Sequence, residues 1–330
     1  MKAASLVVCV FLVMVVLCIG TTDLTASLRT SATEGFYVEG TTLYDANGNP
    51  FTMRGINHIH AWYKDEMSTV IPAIASTGAN TVRIALSDGS QYAKDGVRQV
   101  RSILNLCRDD GLVAVLGVFD DTGSNDVEAM NRAVDYWIEI KSVLIGREDS
   151  IIINVMNEWY GDWSGREWAD AYKEAIPRMR SAGLNHAIMV DCAGWGQYPE
   201  SIHQYGREIL ESDPLRNTMF SIHFYEVSGS DASTIKNNID GVLDQDLCLV
   251  AGEFGPYRIV DGNVRDVDEN FLMGYSKDRG VGWLAWTWYR PADNENAAIE
   301  QHFNMADDWS GGLTDWGERV VNGPDGIRDS

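Results

Sequence analysis

Basic residues and cysteines are both scarce in this chain. Lysine and arginine number 26 against 48 aspartates and glutamates, a formal net charge of -22. So acidic a surface repels phosphate backbones and argues against nucleic acid as a partner, while leaving a neutral polymer open. Acidity is otherwise accounted for by plain solubility. Of the five cysteines, Cys9 and Cys18 fall in the leading apolar run. Cys107, Cys192 and Cys248 are odd in number and lack the spacing of a disulfide framework. Cys107 lies in a helical pattern and Cys248 in a strand-like run, so buried free thiols are expected, with one bridged pair as the alternative. No N-x-S/T sequon occurs, which removes the expectation of N-glycosylation.

Long apolar runs are also missing, except at the start. There "SLVVCVFLVMVVLCIG" follows Lys2 and gives way to "TTDLTASLRTSATEG". This order of charge, apolar core and small-residue exit is that of a secretory signal peptide. A membrane anchor is the alternative on length, but no basic stop-transfer cluster follows the run. Residues 1–20 are read as signal peptide, 21–34 as a short leader and 35–330 as one large domain, secreted, monomeric and free of the membrane after cleavage. Loss of Lys2 with the signal takes the net charge from -22 to -23.

After the leader, "FYVEGTTLYDANGNPFTMRGIN" alternates around "DANGNP" and reads as a β-hairpin feeding a buried strand. Apolar, β-rich runs then recur at "TMRGIN", "NTVRIAL", "LVAVLGVF", "SIIINVM", "AIMVDCA", "MFSIHFY", "LCLVAGEF" and "VGWLAWTW". Helical patterns such as "DGVRQVRSILNLCRDDG" and "REWADAYKEAIPRMRSAG" separate most of them, each ending at a glycine suited to a helix C-terminus. Strands and helices alternating in this way predict a (β/α)8 TIM barrel preceded by the hairpin. A doubly wound open sheet is the alternative, but "RGINHIHAWY" is not the Gly-rich phosphate loop that such a fold carries after its first strand.

A barrel places its chemistry at the C-terminal ends of its strands. Polar residues gather there: Arg83 in the second run, Phe119-Asp120 after the third, Asn157 and Glu158 after the fourth, His223 and Tyr225 at the sixth, Glu253 at the seventh and Trp286 at the eighth. Two carboxylates facing across one mouth are what glycoside hydrolysis requires, one protonated to serve the leaving oxygen and one ionised. Arg83 and Tyr225 are candidates to stabilise an ionised Glu253, and desolvation beside Trp159 a means of keeping Glu158 protonated. Either glutamate alone is more often a solvated loop residue; the two together with these neighbours raise the catalytic reading sharply. Trp62, Trp159, Trp163, Trp195, Trp286 and Trp288 fall at or after strand ends, where flat faces can stack on pyranose rings. Ordinary packing is the competing explanation, and the expected one for Trp137 and Trp168 on helices.

Other chemistries find less support. His58 and His60 in "HIH" share a strand face, but no third ligand sits at a recognisable spacing, so no metal and no cofactor are expected. No G-x-S-x-G elbow offers a serine nucleophile.

With these residues in place, the chain resembles glycoside hydrolase family 5 of clan A, and in particular the bacterial-type endo-β-1,4-mannanases of that family. The likeness runs from Gly35 to the end and rests on "TGANTVRIALSDG", "NRAVDYWIEIKS", "NEWYG", "AGWGQYPESIH", "SIHFYE", "GEFG", "GVGWLAW" and "LTDWGERVVNGPDG". It implies that residues 35–330 are a catalytic domain that retains configuration, with Glu158 as acid/base and Glu253 as nucleophile. Asn157 would bind the sugar 2-hydroxyl, Arg83 and Tyr225 would brace Glu253, and His223 and Trp286 would line the same subsite; Trp62 and Trp195, from the stacking argument above, are further candidates to contact a β-mannan substrate. Two features depart from the family's pattern. Phe119 stands where relatives commonly have His, and "WYRPADNENAAIE" replaces a shorter, Gly-rich loop after strand eight. A β-1,4-glucanase or other clan A hydrolase remains an alternative, as does a sugar-binding protein that has lost activity.

Overall fold

The computed structural model describes residues 35–329. The expected signal peptide and leader, with Cys9 and Cys18, lie outside the described residues. Eight parallel strands close into a barrel: β3 (Arg54–His58), β4 (Thr81–Leu86), β5 (Val113–Val118), β6 (Ile151–Asn154), β7 (Ala187–Asp191), β8 (Thr218–Phe224), β9 (Leu249–Phe254) and β12 (Gly282–Ala285). These are the eight runs read from the sequence, and helices alternate with them as expected of a (β/α)8 TIM barrel.

The apolar runs are continuous because both strand faces are buried. In β4, Val82, Ile84 and Leu86 pack outward with the helices, and in β6 Ile151 and Ile153 do the same. The alternate residues point into the barrel, where Val115, Ile152, Ala187, Met189, Met219, Val250 and Leu284 form a separate apolar cluster. Phe36, Val38 and Leu43 of the N-terminal hairpin, β1 (Tyr37–Glu39) and β2 (Thr42–Tyr44), join that inner cluster and close the barrel floor. Asn217, just before β8, ties them down: its side chain accepts from Val38 N–H at 3.0 Å and donates to the Phe36 carbonyl at 3.0 Å.

One expectation needs correction. The hairpin reverses at Gly40, whose φ of +59° suits glycine, and not at Asp45–Pro50. The latter stretch makes its own turn, with Asp45 Oδ1 accepting from Asn47 and Asn49 N–H groups, and returns the chain through a single bridge from Tyr44 to Pro50. Cys107, Cys192 and Cys248 are all free and buried, so the alternative of a bridged pair falls. Among the described residues no helix is long and apolar enough to cross a membrane.

Above the apolar floor the inward-facing layer turns polar: Asn57 on β3, Arg83 on β4, Asn154 on β6, Asp191 on β7, His223 on β8 and Glu253 on β9 are buried at this level. Strict alternation does not deliver the last of these. Val250 packs inward and Ala251 outward, so counting on by twos sends Glu253 to the helix side. A register shift between β8 and β9 pairs Ile222 with Ala251 but His223 with Glu253, leaving Gly252 as the extra residue. Such a bulge re-aims the next side chain, here into the barrel. Only glycine fits, because a Cβ at Gly252 would lie 2.1 Å from Ser221 Oγ.

Candidate active site

Arg83 organises the floor of the site. The expectation that it ends its strand is incorrect: β4 runs on to Leu86, and Arg83 points inward from mid-strand. Its Nη1 donates to Glu253 Oε1 at 2.6 Å and to Asn57 Oδ1 at 2.9 Å. Its Nη2 donates to Asn157 Oδ1 at 2.7 Å, Asn154 Oδ1 at 2.9 Å and Asp191 Oδ2 at 3.3 Å. Tyr225 donates to the second oxygen of Glu253 at 2.9 Å. Both oxygens of Glu253 thus serve as hydrogen-bond acceptors, one of them to a guanidinium.

Glu158 has a different setting. It lies on the turn after β6, largely buried with one edge open to the cleft, and its Oε1 is 2.8 Å from His223 Nδ1. Burial raises its pKa above the ordinary carboxyl range; the hydrogen bond to His223 opposes that shift and the nearby Glu253 adds to it. For His223, burial alone would push the imidazole pKa down, but Glu253, Asp191 and Glu158 outweigh it and raise it to about 10. The Glu158, His223 and Glu253 ligand atoms lie within 4.8 Å of one another, the one grouping among the described residues that resembles a metal-ligand set. An imidazolium has no lone pair to offer, so this group is better suited to moving protons than to holding an ion. His58 and His60 do not join such a set among the described residues, and His60 faces Asp95 at 3.1 Å.

The two carboxylates open into a cleft of about 450 Å³ lined also by Trp62, Phe119, Thr122, Asn157, Trp195, Tyr225 and Trp286. Trp195 is half-exposed and lies against Gly123, where a Cβ would come within 2.1 Å of the indole. Of the residues singled out from the sequence, Glu158, Glu253, Asn157, Tyr225, Trp62, Trp195 and Trp286 meet in this cleft. Arg83 and His223 do not line it. Both are fully buried beneath the carboxylates, Arg83 hydrogen-bonded to Glu253 and His223 to Glu158.

The other three tryptophans at strand ends lie outside the lining of this cleft. Trp159 and Trp288 are buried and donate to the carbonyls of Asp126 and Trp309, and Trp163 is exposed outside the cleft lining, against Tyr198. Trp137 and Trp168 pack in the core as expected.

Sequence reasoning passed over Asn57, Asn154 and Asp191, although an Asp closing the apolar run "AIMVDCA" was a visible signal. It also passed over the rim: Arg258 on the hairpin β10 (Tyr257–Val260) and β11 (Asn263–Asp266), and Arg290, Asn296 and Glu300 on the loop after β12. That loop, already unlike the Gly-rich version, does reach the cleft.

Comparison with known proteins places these features. A family model described as Cellulase (glycosyl hydrolase family 5) matches residues 44–291. A mannan endo-1,4-beta-mannosidase of Salipaludibacillus agaradhaerens is 56% identical over 297 residues, covering 90% of this chain and 94% of that protein. The catalytic domain of a mannanase from Streptomyces sp. SirexAA-E superposes with a TM-score of 0.82 at 38% identity, over 90% of this chain and 92% of that one. A mannohexaose complex of the Thermomonospora fusca beta-mannanase superposes with a TM-score of 0.81 at 36% identity, over 90% and 97% of the two chains.

Proposed function

The chain belongs to glycosyl hydrolase family 5 and is a glycoside hydrolase, and from that premise we propose that it is a secreted, retaining endo-β-1,4-mannanase. The observation that carries the mechanism is the approach of Glu158 and Glu253 carboxylate oxygens to within 4.8 Å. Retaining enzymes hold the two carboxyls about 5–5.5 Å apart, whereas inverting ones leave about 6.5–9.5 Å for a water. The unlike surroundings of the two groups support the division of labour. Glu253, an acceptor on both oxygens, attacks the anomeric carbon. Glu158, raised by burial, protonates the leaving oxygen and then, as a base, takes a proton from the water that hydrolyses the glycosyl-enzyme.

Asn157 has its carbonyl oxygen fixed by Arg83 and its amide donating to Thr122 Oγ1 at 3.1 Å, which sets it to bind the 2-hydroxyl of the sugar being cleaved. Trp62, Trp195 and Trp286 supply flat apolar faces for the rings of an internal stretch of mannan. The substrate class rests on the relatives named as mannanases. Secretion rests on residues 1–20 as a signal peptide, followed by a leader to residue 34, with residues 35–330 acting as a monomeric catalytic domain.

Reducing ends released from mannan, carboxymethyl cellulose and xylan test the substrate: mannan should be cut fastest, and a preference for carboxymethyl cellulose would contradict the proposal. For the roles, Glu253→Ala should abolish turnover. Glu158→Ala should lose about 10²–10⁴-fold on mannan and be rescued by azide on an aryl mannoside with a good leaving group. If azide instead gives the retained β-azide with Glu253→Ala and the inverted α-azide with Glu158→Ala, the two roles are reversed.

A further inference from the structure

Asp191, at the end of β7, is not among the residues that the sequence singles out, yet it touches every part of the acid/base assembly. Its side chain is fully buried. Oδ2 accepts from the backbone N–H of Glu158 at 3.1 Å and from Arg83 Nη2 at 3.3 Å. Oδ1 accepts from Asn154 Nδ2 at 3.2 Å and faces His223 Nε2 at 3.5 Å.

Two properties of Glu158 follow from these contacts. The first is its backbone. Glu158 has a φ of +47°, a left-handed conformation that residues with a Cβ seldom adopt and that surrounding contacts must hold. The hydrogen bond from its N–H to Asp191 supplies such a hold. The second is the hydrogen bond to its carboxyl. His223 stands between Asp191 on one ring nitrogen and, on the other, Glu158 at 2.8 Å and Glu253 at 3.6 Å. With both nitrogens protonated, Nδ1–H donates to Glu158 Oε1 and leaves Oε2 to carry the proton destined for the leaving oxygen.

We propose that Asp191 is a positioning residue for the acid/base, fixing the backbone of Glu158 directly and the orientation of its carboxyl through His223. The proposal rests on the assignment of Glu158 as acid/base. The groups facing Glu158 are His223, Glu253 and Asp191; those facing His223 are Asp191, Glu158 and Glu253; those facing Asp191 are Arg83 and His223, with Tyr172 and Cys192 alongside. Removing the Asp191 anion makes both neighbours, Glu158 and His223, release their protons more readily.

The test is Asp191→Asn in the full chain, with kcat/KM measured against pH on two substrates. One is a mannan oligosaccharide, whose departure needs a proton. The other is a 2,4-dinitrophenyl mannoside, whose departure does not. The proposal expects a loss of about tenfold or more on the oligosaccharide, a much smaller loss on the aryl glycoside, and an alkaline limb moved to lower pH. Equal losses on both substrates with an unmoved alkaline limb would reduce Asp191 to a structural role and overturn it.

Azide rescue of Glu158→Ala, run alongside, separates the two readings. If the rescue fails, the acid/base assignment falls and this proposal with it; if it succeeds while Asp191→Asn shows uniform loss, only the positioning role falls. Should Asp191→Asn not fold, ¹⁵N shifts of His223 in the unaltered enzyme decide the matter: a doubly protonated ring at pH 8 is expected, and a neutral ring overturns the proposal.

Discussion

Phe119 stands where the resemblance read from the sequence leads to the expectation of His, and its surroundings say what this side chain does. The ring stacks on Trp286 with centroids 6.2 Å apart, meets Trp62 edge-on at 5.9 Å, and has the Arg83 guanidinium 4.8 Å from its centre. An aromatic wall thus joins two of the cleft tryptophans and covers the arginine beneath the carboxylates. Phe119→His should leave the enzyme active and lower its thermal midpoint, since apolar contacts are lost in a tightly packed place. The neighbouring guanidinium disfavours an imidazolium, so the new ring protonates only below its ordinary value of about 6.5. Any change in the pH profile of kcat/KM should therefore lie on its acid side; a displaced alkaline limb would contradict this picture. Residues such as Glu158 and Glu253 were legible because a carboxylate closing an apolar run is conspicuous. Arg83 was legible as a type but not as a place, because its long side chain lets a mid-strand residue reach up to Glu253 and Asn157 from beneath them. Asp191 was visible but passed over, because its work is done by contacts to a backbone N–H and a histidine from other strands.

At the scale of elements, the bulge at Gly252 and the bracing at the barrel floor were beyond the reach of sequence patterns. Period-two counting assigns Glu253 to the wrong face, and only the pairing with β8 shows the extra residue. The hairpin turn was misplaced for a related reason: "DANGNP" is the richer turn signal, but Gly40 makes the reversal. At the barrel floor, Arg180 at the end of the helix Arg166–Ser181 binds both oxygens of Asp213, at 2.9 and 2.8 Å, and the carbonyls of Leu184, His186 and Asn217. Arg180→Met would strand Asp213 in the interior, and breaking a buried pair this way costs about 3–5 kcal/mol. The thermal midpoint should fall by several degrees with kcat/KM at 25 °C unchanged. Burial works to raise the pKa of Asp213, but Arg180 prevails and holds it below the ordinary range. A group depressed in the folded state contributes stability above its unfolded pKa of about 3.9 and loses it as pH falls through the folded value. The gap between the two proteins should therefore be full at neutral pH and shrink in acid; a gap that stays constant as acid is added would contradict this assignment.

For the whole molecule, the sequence revealed the barrel because strands buried on both faces and helices between them leave a strong alternating pattern. It could not show which loops form the rim, since Arg258, Arg290 and Glu300 come from segments without such a pattern. The formal charge of -22 places no obstacle before a neutral polysaccharide, so the account depends on the two glutamates and the division of labour between them. Its central claim is that Glu253 forms a covalent bond to the sugar. An activated 2-deoxy-2-fluoro-mannoside, which slows hydrolysis of a glycosyl-enzyme more than its formation, followed by peptide mapping by mass spectrometry, tests that claim directly. The account predicts one glycosyl unit on the peptide containing Glu253 and, with ordinary substrate, the β-anomer as the first product. Label on the peptide containing Glu158, or no label with the α-anomer appearing first, would contradict it.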